Sequence, residues 1–325
     1  MSRYILRRLG HALIVLWATF TATFLLLYAL PGDAALSKAG ASSESTVVDQ
    51  AQVDRVRAEL GMDDPLVVQY VRTLKHTVTG DFGRSLQNGT PVRELYADAV
   101  PHTLQLAAAG FVLAILLGFG WALLVTYVQW RPARVLLGSL PALGVSVPTF
   151  WVGLLALQWF SFKWQLFPAF GNDGIRSLVL PAIVVAIPSA AVAAQLLNRS
   201  LENTLDAPFI DTARAKGASR LRILVVHATR NSLLPVLTAL GMTAGHLIGG
   251  SVVAETVFTR AGIGEVALRA VNFQDSPVLL VAVLFAAVVF VSINLAVDLL
   301  YRVVDPRIHY STDPAKGPAN LKAAA

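Results

Sequence analysis

The chain has 325 residues, of which 55% are hydrophobic and only 14% are charged, and it contains no cysteine. A soluble domain carries roughly a quarter charged residues, so this composition favours a membrane protein. The absence of cysteine excludes disulfides, thiol catalysis and cysteine-based metal sites. The net charge of +6 would suit nucleic acid if the basic residues formed one soluble face, but they flank apolar runs, so no nucleic-acid partner is predicted.

Six apolar stretches are long enough to cross a bilayer, which takes roughly 20 residues of helix. They are Leu9–Leu30, Thr103–Val128, Val135–Phe162, Ser177–Leu197, Leu233–Val257 and Pro277–Val303. Prolines interrupt the third stretch (Pro141, Pro148) and the fourth (Pro181, Pro188), which transmembrane helices tolerate as kinks. A transport pathway and ordinary helix packing explain these kinks equally well. The sequence therefore predicts an all-α integral membrane protein with six transmembrane helices, surrounded by membrane lipid.

Basic residues predict the orientation of the spans, because they concentrate on the cytoplasmic side. The segments on the side of the N-terminus hold 15 basic and 5 acidic residues, whereas the opposite side holds 11 basic and 14 acidic residues. Both termini and the 198–232 loop are therefore expected in the cytoplasm, with the protein in the inner or plasma membrane. The first apolar run is too long for a signal peptide and lacks a nearby small-x-small cleavage site, so residues 1–30 are interpreted as an uncleaved helix.

Residues 31–102 separate the first two spans and are expected to form a small helical insert on the outer side. Helical spacing predicts amphipathic helices over Asp49–Leu60 and Leu66–Val78. The second helix would turn four side chains inward, namely Val67, Tyr70, Val71 and Leu74. After it, Gly80–Ser85 has the composition of a turn, and a short helix is expected over Val92–Ala99. The remaining units are a membrane-spanning helical core over 97–303 and a cytoplasmic tail over 304–325.

The residues of the chain bear on two kinds of energy coupling and on one kind of catalysis. A phosphate-binding loop needs a Gly-Lys element, and the chain has none, so any ATP and Mg²⁺ must be bound by a partner. A secondary transporter needs ionisable groups in its helices, and the deep candidates are Asp298 and His246. An intramembrane serine protease would have to use Ser251 and His246, which lie five residues apart on one helix. These two residues are retained as candidates for a pathway or gate.

The most informative stretch is the polar segment Asp211–Gly217 in the 198–232 loop. Asp206 is a suitable N-cap and Pro208 a suitable first-turn residue for a short helix, and Gly217 is a natural stop. The helix would pack Phe209 and Ile210 inward and remain slim outward. Slim residues permit close approach of a partner, although a solvated amphipathic helix explains the pattern equally well on physical grounds alone.

The sequence Asp211-Thr-Ala-Arg-Ala-Lys-Gly217 resembles the Glu-Ala-Ala-x-x-x-Gly loop of binding-protein-dependent ABC importer permeases. It departs from that pattern at Asp211 and Thr212, and the following His227–Pro235 stretch is similar to the peptide and nickel permease subfamily. Further segments resemble the B-type subunit of that subfamily: Gly61–Leu66, Gly80–Ser85, Ser146–Trp151, Glu255–Phe258, Gly262–Gly264 and Asp305–Ile308.

The resemblance implies a type I ABC importer permease fold that works with other chains. Its partners would be a second, homologous permease subunit, one or two cytoplasmic ATPase subunits and an extracytoplasmic solute-binding protein. The loop would be the coupling helix that docks on an ATPase, through Asp211, Thr212, Ala213, Arg214, Lys216 and Gly217. The implied cargo is a dipeptide or oligopeptide. Nickel or another small solute, a stand-alone secondary transporter and a non-transport membrane scaffold or sensor are the alternatives.

Overall fold

The computed structural model describes residues 2–28 and 64–304, apart from the side chains of residues 2–5, 234–235, 237–240, 242, 246 and 297–304. In this part of the chain the secondary structure is helical, with one isolated bridge between Arg84 and Pro91. The helices are α1 (Ser2–Tyr28), α2 (Leu66–Thr79), α3 (Val92–Tyr127), α4 (Arg131–Ser146), α5 (Thr149–Ala156), α6 (Gly174–Leu205), α7 (Pro208–Ala215), α8 (Arg220–Arg222), α9 (Thr229–Val257), α10 (Ile263–Asn272) and α11 (Ser276–Val304). Two π-helical segments, Leu157–Lys163 and Ile223–Ala228, continue α5 and join α8 to α9. The predicted all-α fold is confirmed.

The centre of the fold is the pair α3 and α6, which approach each other closely. The buried face of α3 repeats every four residues and includes Gly110, Ala114, Gly118 and Ala122. A Cβ atom added to Gly118 would lie 2.8 Å from the carbonyl oxygen of Ala190 on α6, so that position has no room for a side chain. Small residues let helices in a lipid environment gain van der Waals contact where the hydrophobic effect between helices is weak.

The insert is fixed to the helices by one face of α2. The rings of Phe20 and Phe24 on α1 contact the ring of Tyr70, whose hydroxyl also shares a 2.9 Å hydrogen bond with Thr21. Leu74 joins the same cluster, as predicted. The expected inward positions of Val67 and Val71 were wrong, because these side chains are 73% and 58% exposed. The physical reason is that α2 packs only one narrow side, centred on Tyr70 and Leu74.

The C-terminal part of the insert agrees with its prediction at the turn and differs from it at the helix that follows. The turn residues Gly80 and Gly83 have positive φ angles of 79° and 72°, as a glycine turn requires. The short helix expected over Val92–Ala99 is instead the first part of α3, which continues without a break through Pro101. The predicted helix Asp49–Leu60 and the segments Gly61–Leu66 and Asp305–Ile308 fall wholly or partly outside the described residues.

The third predicted span, Val135–Phe162, is not a single straight helix. It consists of α4 and α5 with the π-helical segment that follows, and the two parts are bent by 98°. The break falls at Val147, which is extended (φ −81°, ψ 129°) immediately before Pro148. A proline ring disfavours the helical conformation of the preceding residue and removes one backbone donor. Pro141, Pro181 and Pro188 by contrast remain inside their helices.

Four helical segments of the described residues are long and apolar enough to cross a membrane, and the bent pair would make a fifth. The four are Leu6–Tyr28, Val92–Tyr127, Gly174–Leu205 and Ser276–Ala296. The predicted span Leu233–Val257 lies within the 29-residue helix α9, several of whose side chains are outside the described residues. The count of six therefore stays a prediction.

Candidate functional site

The short helix α7 lies in the chain between α6 and the continuous helical rod formed by α8, the π-helical segment Ile223–Ala228 and α9. It begins at Pro208, and the residue before it is Ala207 in an extended conformation. Asp206, the predicted N-cap, is instead the C-terminal cap of α6, and Ala207 precedes α7 without a side-chain capping bond. The prediction for Asp206 was wrong because Pro208 itself is the first helical residue, which moves the cap position to Ala207.

The end of α7 is formed by Gly217, as the sequence predicts. Its φ angle is +77°, a left-handed conformation that glycine adopts without strain. The N–H of Gly217 donates to the carbonyl oxygen of Arg214 at 2.9 Å, and the N–H of Ala218 donates to that of Ala213 at 3.1 Å. These two bonds form a Schellman motif, which satisfies carbonyl groups at the helix end and turns the chain toward α8.

The outward face of α7 is polar and small. Ile210 is fully buried beneath the helix, while Phe209 is half-exposed rather than packed inward as predicted. Asp211, Thr212, Arg214, Lys216 and Gly217 are exposed, and Ala213 is partly covered. The Arg214 guanidinium lies 2.9 Å from the Asp211 carboxylate, an exposed pair one turn apart. All six residues predicted for the coupling loop therefore lie together on or at the end of one helix.

A polar network joins this region to the end of α3. Arg220 donates to the carbonyl oxygen of Thr126 at 3.3 Å, and its guanidinium lies 5.4 Å from the centre of the Tyr127 ring. The Thr126 hydroxyl donates to Asn198 at 3.1 Å, and Asn198 in turn donates to Glu202 at 3.2 Å. A cleft of about 570 Å³ opens beside this network, between α7 and the ends of α3 and α6. The network thus joins α8, which follows α7 in the chain, to the ends of both central helices.

The two other candidate residues lie away from α7, in the distal half of α9. Ser251 is fully buried, and its hydroxyl donates to the carbonyl oxygen of Ile248 at 2.7 Å. That hydrogen bond uses the hydroxyl proton within the same helix, a common arrangement for serine in a transmembrane helix. The side chain of His246 lies outside the described residues. The gate assignment for both residues stays a prediction.

At the opposite end of α3, a buried carboxylate holds the chain after α9. Glu255 is 0% exposed, and it accepts hydrogen bonds from the Thr103 hydroxyl at 2.6 Å and from the N–H of Gly264 at 2.7 Å. Thr103 in turn accepts from the N–H of Ile263 at 2.8 Å. Gly262 lies so close that a Cβ there would fall 2.2 Å from the Glu255 carboxyl carbon.

Arg260 supplies the counter-charge in this network. Its side chain is 1% exposed and donates to the carbonyl oxygens of Ser177 at 3.0 Å and Gly171 at 3.3 Å. Burial lowers the pKa of the Arg260 guanidinium, and the negative charge of Glu255 opposes that shift. Burying the two opposite charges near each other reduces the cost of removing each from water.

A second polar contact closes the same end of the molecule. The Ser85 hydroxyl of the insert donates to the buried carboxylate of Asp275, which directly precedes α11. The Tyr96 hydroxyl on α3 donates to the carbonyl oxygen of Val278 at 2.7 Å. The sequence reasoning noted Glu255 only as part of the resembling segment Glu255–Phe258 and did not predict that Glu255, Thr103 and Arg260 form a buried network. The signal that could have indicated them is an acidic residue at the end of an apolar helix, followed closely by Gly262 and Gly264.

The chain is similar to known membrane transport proteins over nearly its whole length. Residues 131–310 match the family described as "Binding-protein-dependent transport system inner membrane component", and residues 1–107 match the N-terminal region of the membrane component of such systems. A peptide transport system permease protein of Brucella suis is 38% identical over 322 residues, covering 95% of this chain and 100% of that protein. The glutathione transport system permease protein GsiC of Salmonella paratyphi A is 35% identical over 313 residues, covering 95% of this chain and 100% of its own.

Solved structures show the same fold. The inward-facing MetNI methionine ABC transporter aligns with a TM-score of 0.52 at 18% identity, over 66% of this chain and 98% of that one. A crystal structure of an amino acid ABC transporter with histidines aligns with a TM-score of 0.51 at 17% identity, over 65% and 94%. Each of these alignments covers about two thirds of this chain.

Proposed function

The chain belongs to the family of binding-protein-dependent transport system inner membrane components, and we propose that it forms half of the translocation pathway of a peptide importer. The single observation that supports a peptide as the cargo is the similarity, over the whole length of the chain, to permeases named for peptide and glutathione transport. In this proposal the chain hydrolyses nothing, and separate ATPase chains bind ATP and Mg²⁺. A homologous permease supplies the other half of the pathway, and a solute-binding protein delivers the peptide.

The helix α7 is the proposed docking point for the ATPase. Its exposed small residues permit close approach, and Ile210 and the Schellman turn at Gly217 hold it on the fold. Nucleotide-driven closure of the ATPases would move α7, and the Arg220–Thr126 contact would pass that movement to α3. Both termini and α7 then face the cytoplasm, where the ATPase resides, and the insert faces outward. Alternating access follows from rocking the helices between these two sides.

The proposal is tested by uptake in proteoliposomes that contain the full complex of permeases, ATPases and binding protein. The probes are labelled glutathione and a labelled mixture of di- to pentapeptides, with nickel as the comparison cargo. We expect ATP-dependent uptake of at least one peptide probe, which stops when the ATPase is omitted. Uptake of nickel without peptide would favour the metal alternative. Uptake by this chain alone under an imposed proton gradient would contradict the proposal.

Single charges on α7 should contribute little. Arg214→Ala is expected to lower uptake by less than about fivefold, because an exposed ion pair is worth at most about 1 kcal/mol. Both partners of the Arg214–Asp211 pair are well exposed, so solvent screens their attraction. Lys216→Ala serves as the matched loss of one charge. A loss beyond tenfold specific to Arg214→Ala would show instead that this side chain anchors the ATPase directly.

The outer surface of the insert is the proposed contact for the solute-binding protein. Val67, Val71 and Val78 follow helical spacing on one exposed face of α2, which adjoins the side packed through Tyr70 and Leu74. The double change Val67→Asp with Val71→Asp should weaken stimulation of ATP hydrolysis by the binding protein. Thr79→Asp, which adds a carboxylate off this face, is the control. Undiminished stimulation in the double variant, at saturating and limiting binding protein, would remove α2 from the contact.

A further inference from the structure

The buried network around Glu255 joins the ends of three helices that are far apart in sequence. Glu255 ends α9, Thr103 lies on α3, and Arg260 donates to the backbone at the start of α6 through Ser177. Phe258, between the two charged residues, is buried against Leu157, Leu180 and Val184. The short stretch after α9 is therefore bonded or packed to every central helix at this end of the fold.

The backbones in this network are in close contact, and separating the helices would break buried hydrogen bonds at a large cost in free energy. A Cβ on Gly264 would lie 2.5 Å from the Cα of Val252, so the start of α10 rests directly on the backbone of α9. Pulling α10 away from α3 and α9 would leave the N–H groups of Ile263 and Gly264 without partners and would remove one of the two hydrogen bonds to the buried Glu255 carboxylate. Leaving a buried charged group unpaired is costly, because its hydration is not recovered in the protein interior.

The helix α3 and the continuous helical stretch from α8 to α9 also contact each other at their other ends. The rod of α8, the π-helical segment and α9 begins next to Gly217, and Arg220 at its start donates to Thr126 near the end of α3. Near its far end, Glu255 accepts from Thr103, which lies in the first third of the same helix. The rod and α3 thus form a frame that is closed at both ends by polar contacts.

We propose that Glu255 is a positioning residue for transport: through Thr103 and the N–H of Gly264 it locks α10 to α3, so that this end of the chain moves as one rigid body. This positioning role rests on the proposed function, and it implies that the pathway does not open between α3 and α10. Displacement of α7 by the ATPase then moves the end of the chain that holds Glu255 and α10, because the helices between them do not shift relative to one another. Opening at that end takes place at the boundary of this body, not between α3 and α10.

The chain contains no cysteine, so the tie can be replaced by a covalent bond. The experiment is the double variant Thr103→Cys with Ile263→Cys, at two positions that are joined by the 2.8 Å bond from the Ile263 backbone N–H to the Thr103 side-chain hydroxyl. The full complex is reconstituted with its binding protein and the labelled peptide mixture. Peptide uptake and the ratio of stimulated to basal ATP hydrolysis are measured after dithiothreitol and after copper phenanthroline. The two single-cysteine variants report any redox effect that arises from partner chains.

In the reduced double variant we expect uptake and the hydrolysis ratio to fall about tenfold, the size expected for losing a hydrogen bond to a buried carboxylate. Oxidation should restore at least half of both, because the disulfide replaces the lost tie. Arrest on oxidation with recovery on reduction would overturn the proposal, since it would mean that α3 and α10 must separate. Normal coupling in the reduced form would overturn it as well. Failure of the wild-type complex in the same assay would instead count against the proposed function.

A second pair of variants decides the matter if the cysteine variant does not assemble. Thr103→Val keeps the volume and removes the hydroxyl, whereas Thr103→Ser keeps the hydroxyl and removes a methyl group. We expect the ratio of stimulated to basal hydrolysis, measured per assembled complex, to fall in Thr103→Val and to be largely retained in Thr103→Ser. A purely structural role would lower the amount of complex without changing that ratio, and that result would overturn the positioning role.

Discussion

Replacing Gly217 by tryptophan is expected to lower peptide uptake more than about tenfold while the protein still inserts into the membrane. At a φ of +77°, a non-glycine residue costs roughly 1–2 kcal/mol, and the cost falls on the turn that ends α7. The strained turn would release the bonds from Gly217 and Ala218 to the carbonyl groups of α7. The helix would then present a displaced surface to the ATPase. ATP hydrolysis should lose its stimulation by substrate-loaded binding protein, as measured in proteoliposomes.

Two smaller replacements separate backbone strain from bulk at the same position. Gly217→Asn adds a side chain that tolerates the left-handed conformation, while Gly217→Val adds one of similar size that does not. We expect Asn to retain most of the stimulation and Val to lose it. The structure leaves open space around a Cβ at this position, so clashes within the chain are not the cause. Equal losses of stimulation in Gly217→Asn and Gly217→Val would indicate that the ATPase surface has no room for any side chain at this position. Unchanged stimulation in Gly217→Trp would contradict the coupling role of α7.

Gly264→Ala is the second change with a large expected effect. The added methyl group would fall 2.5 Å from the Cα of Val252 and 2.8 Å from an oxygen of Glu255, and the backbone contact cannot be relieved by a side-chain rotation. Overpacking of this kind typically costs about 1–3 kcal/mol, and here it also strains the hydrogen bonds of a buried carboxylate. The thermal midpoint of the purified complex should fall by several degrees, and uptake should fall more than about tenfold.

Gly250→Ala is the matched control, because it lies on the adjoining helix α9 and has no atom within 4 Å of the added Cβ. Alanine also favours a helical backbone over glycine, so this variant should match or exceed the wild-type thermal midpoint. The midpoints are compared by following the loss of the monodisperse complex on heating. A wild-type midpoint and normal uptake in Gly264→Ala would show that α10 does not rest on α9 as described.

Much of the fold was predictable because the signals are local. Long apolar runs predict helices of membrane-spanning length, and their positions match α1, α3, α6 and α11 to within several residues, except at the start of α3. Gly217 was predictable for the same reason, since a glycine after a helical stretch indicates a left-handed stop. The errors arose where local signals conflict with packing. The expected break between Ala99 and Thr103 is absent because α3 continues through Pro101, whereas the kink expected at Pro148 is a 98° bend between two helical parts.

The sequence by itself determined the helical membrane class and the position of the polar helix α7. Only the tertiary structure decided that Glu255, Thr103 and Arg260 act together, because Thr103 lies 152 residues from Glu255 in the chain. Hydropathy records how each residue partitions between lipid and water, and it contains no term for a partner on another helix. A buried charge is stable only beside its hydrogen-bond donors and counter-charge, and folding alone brings those groups together.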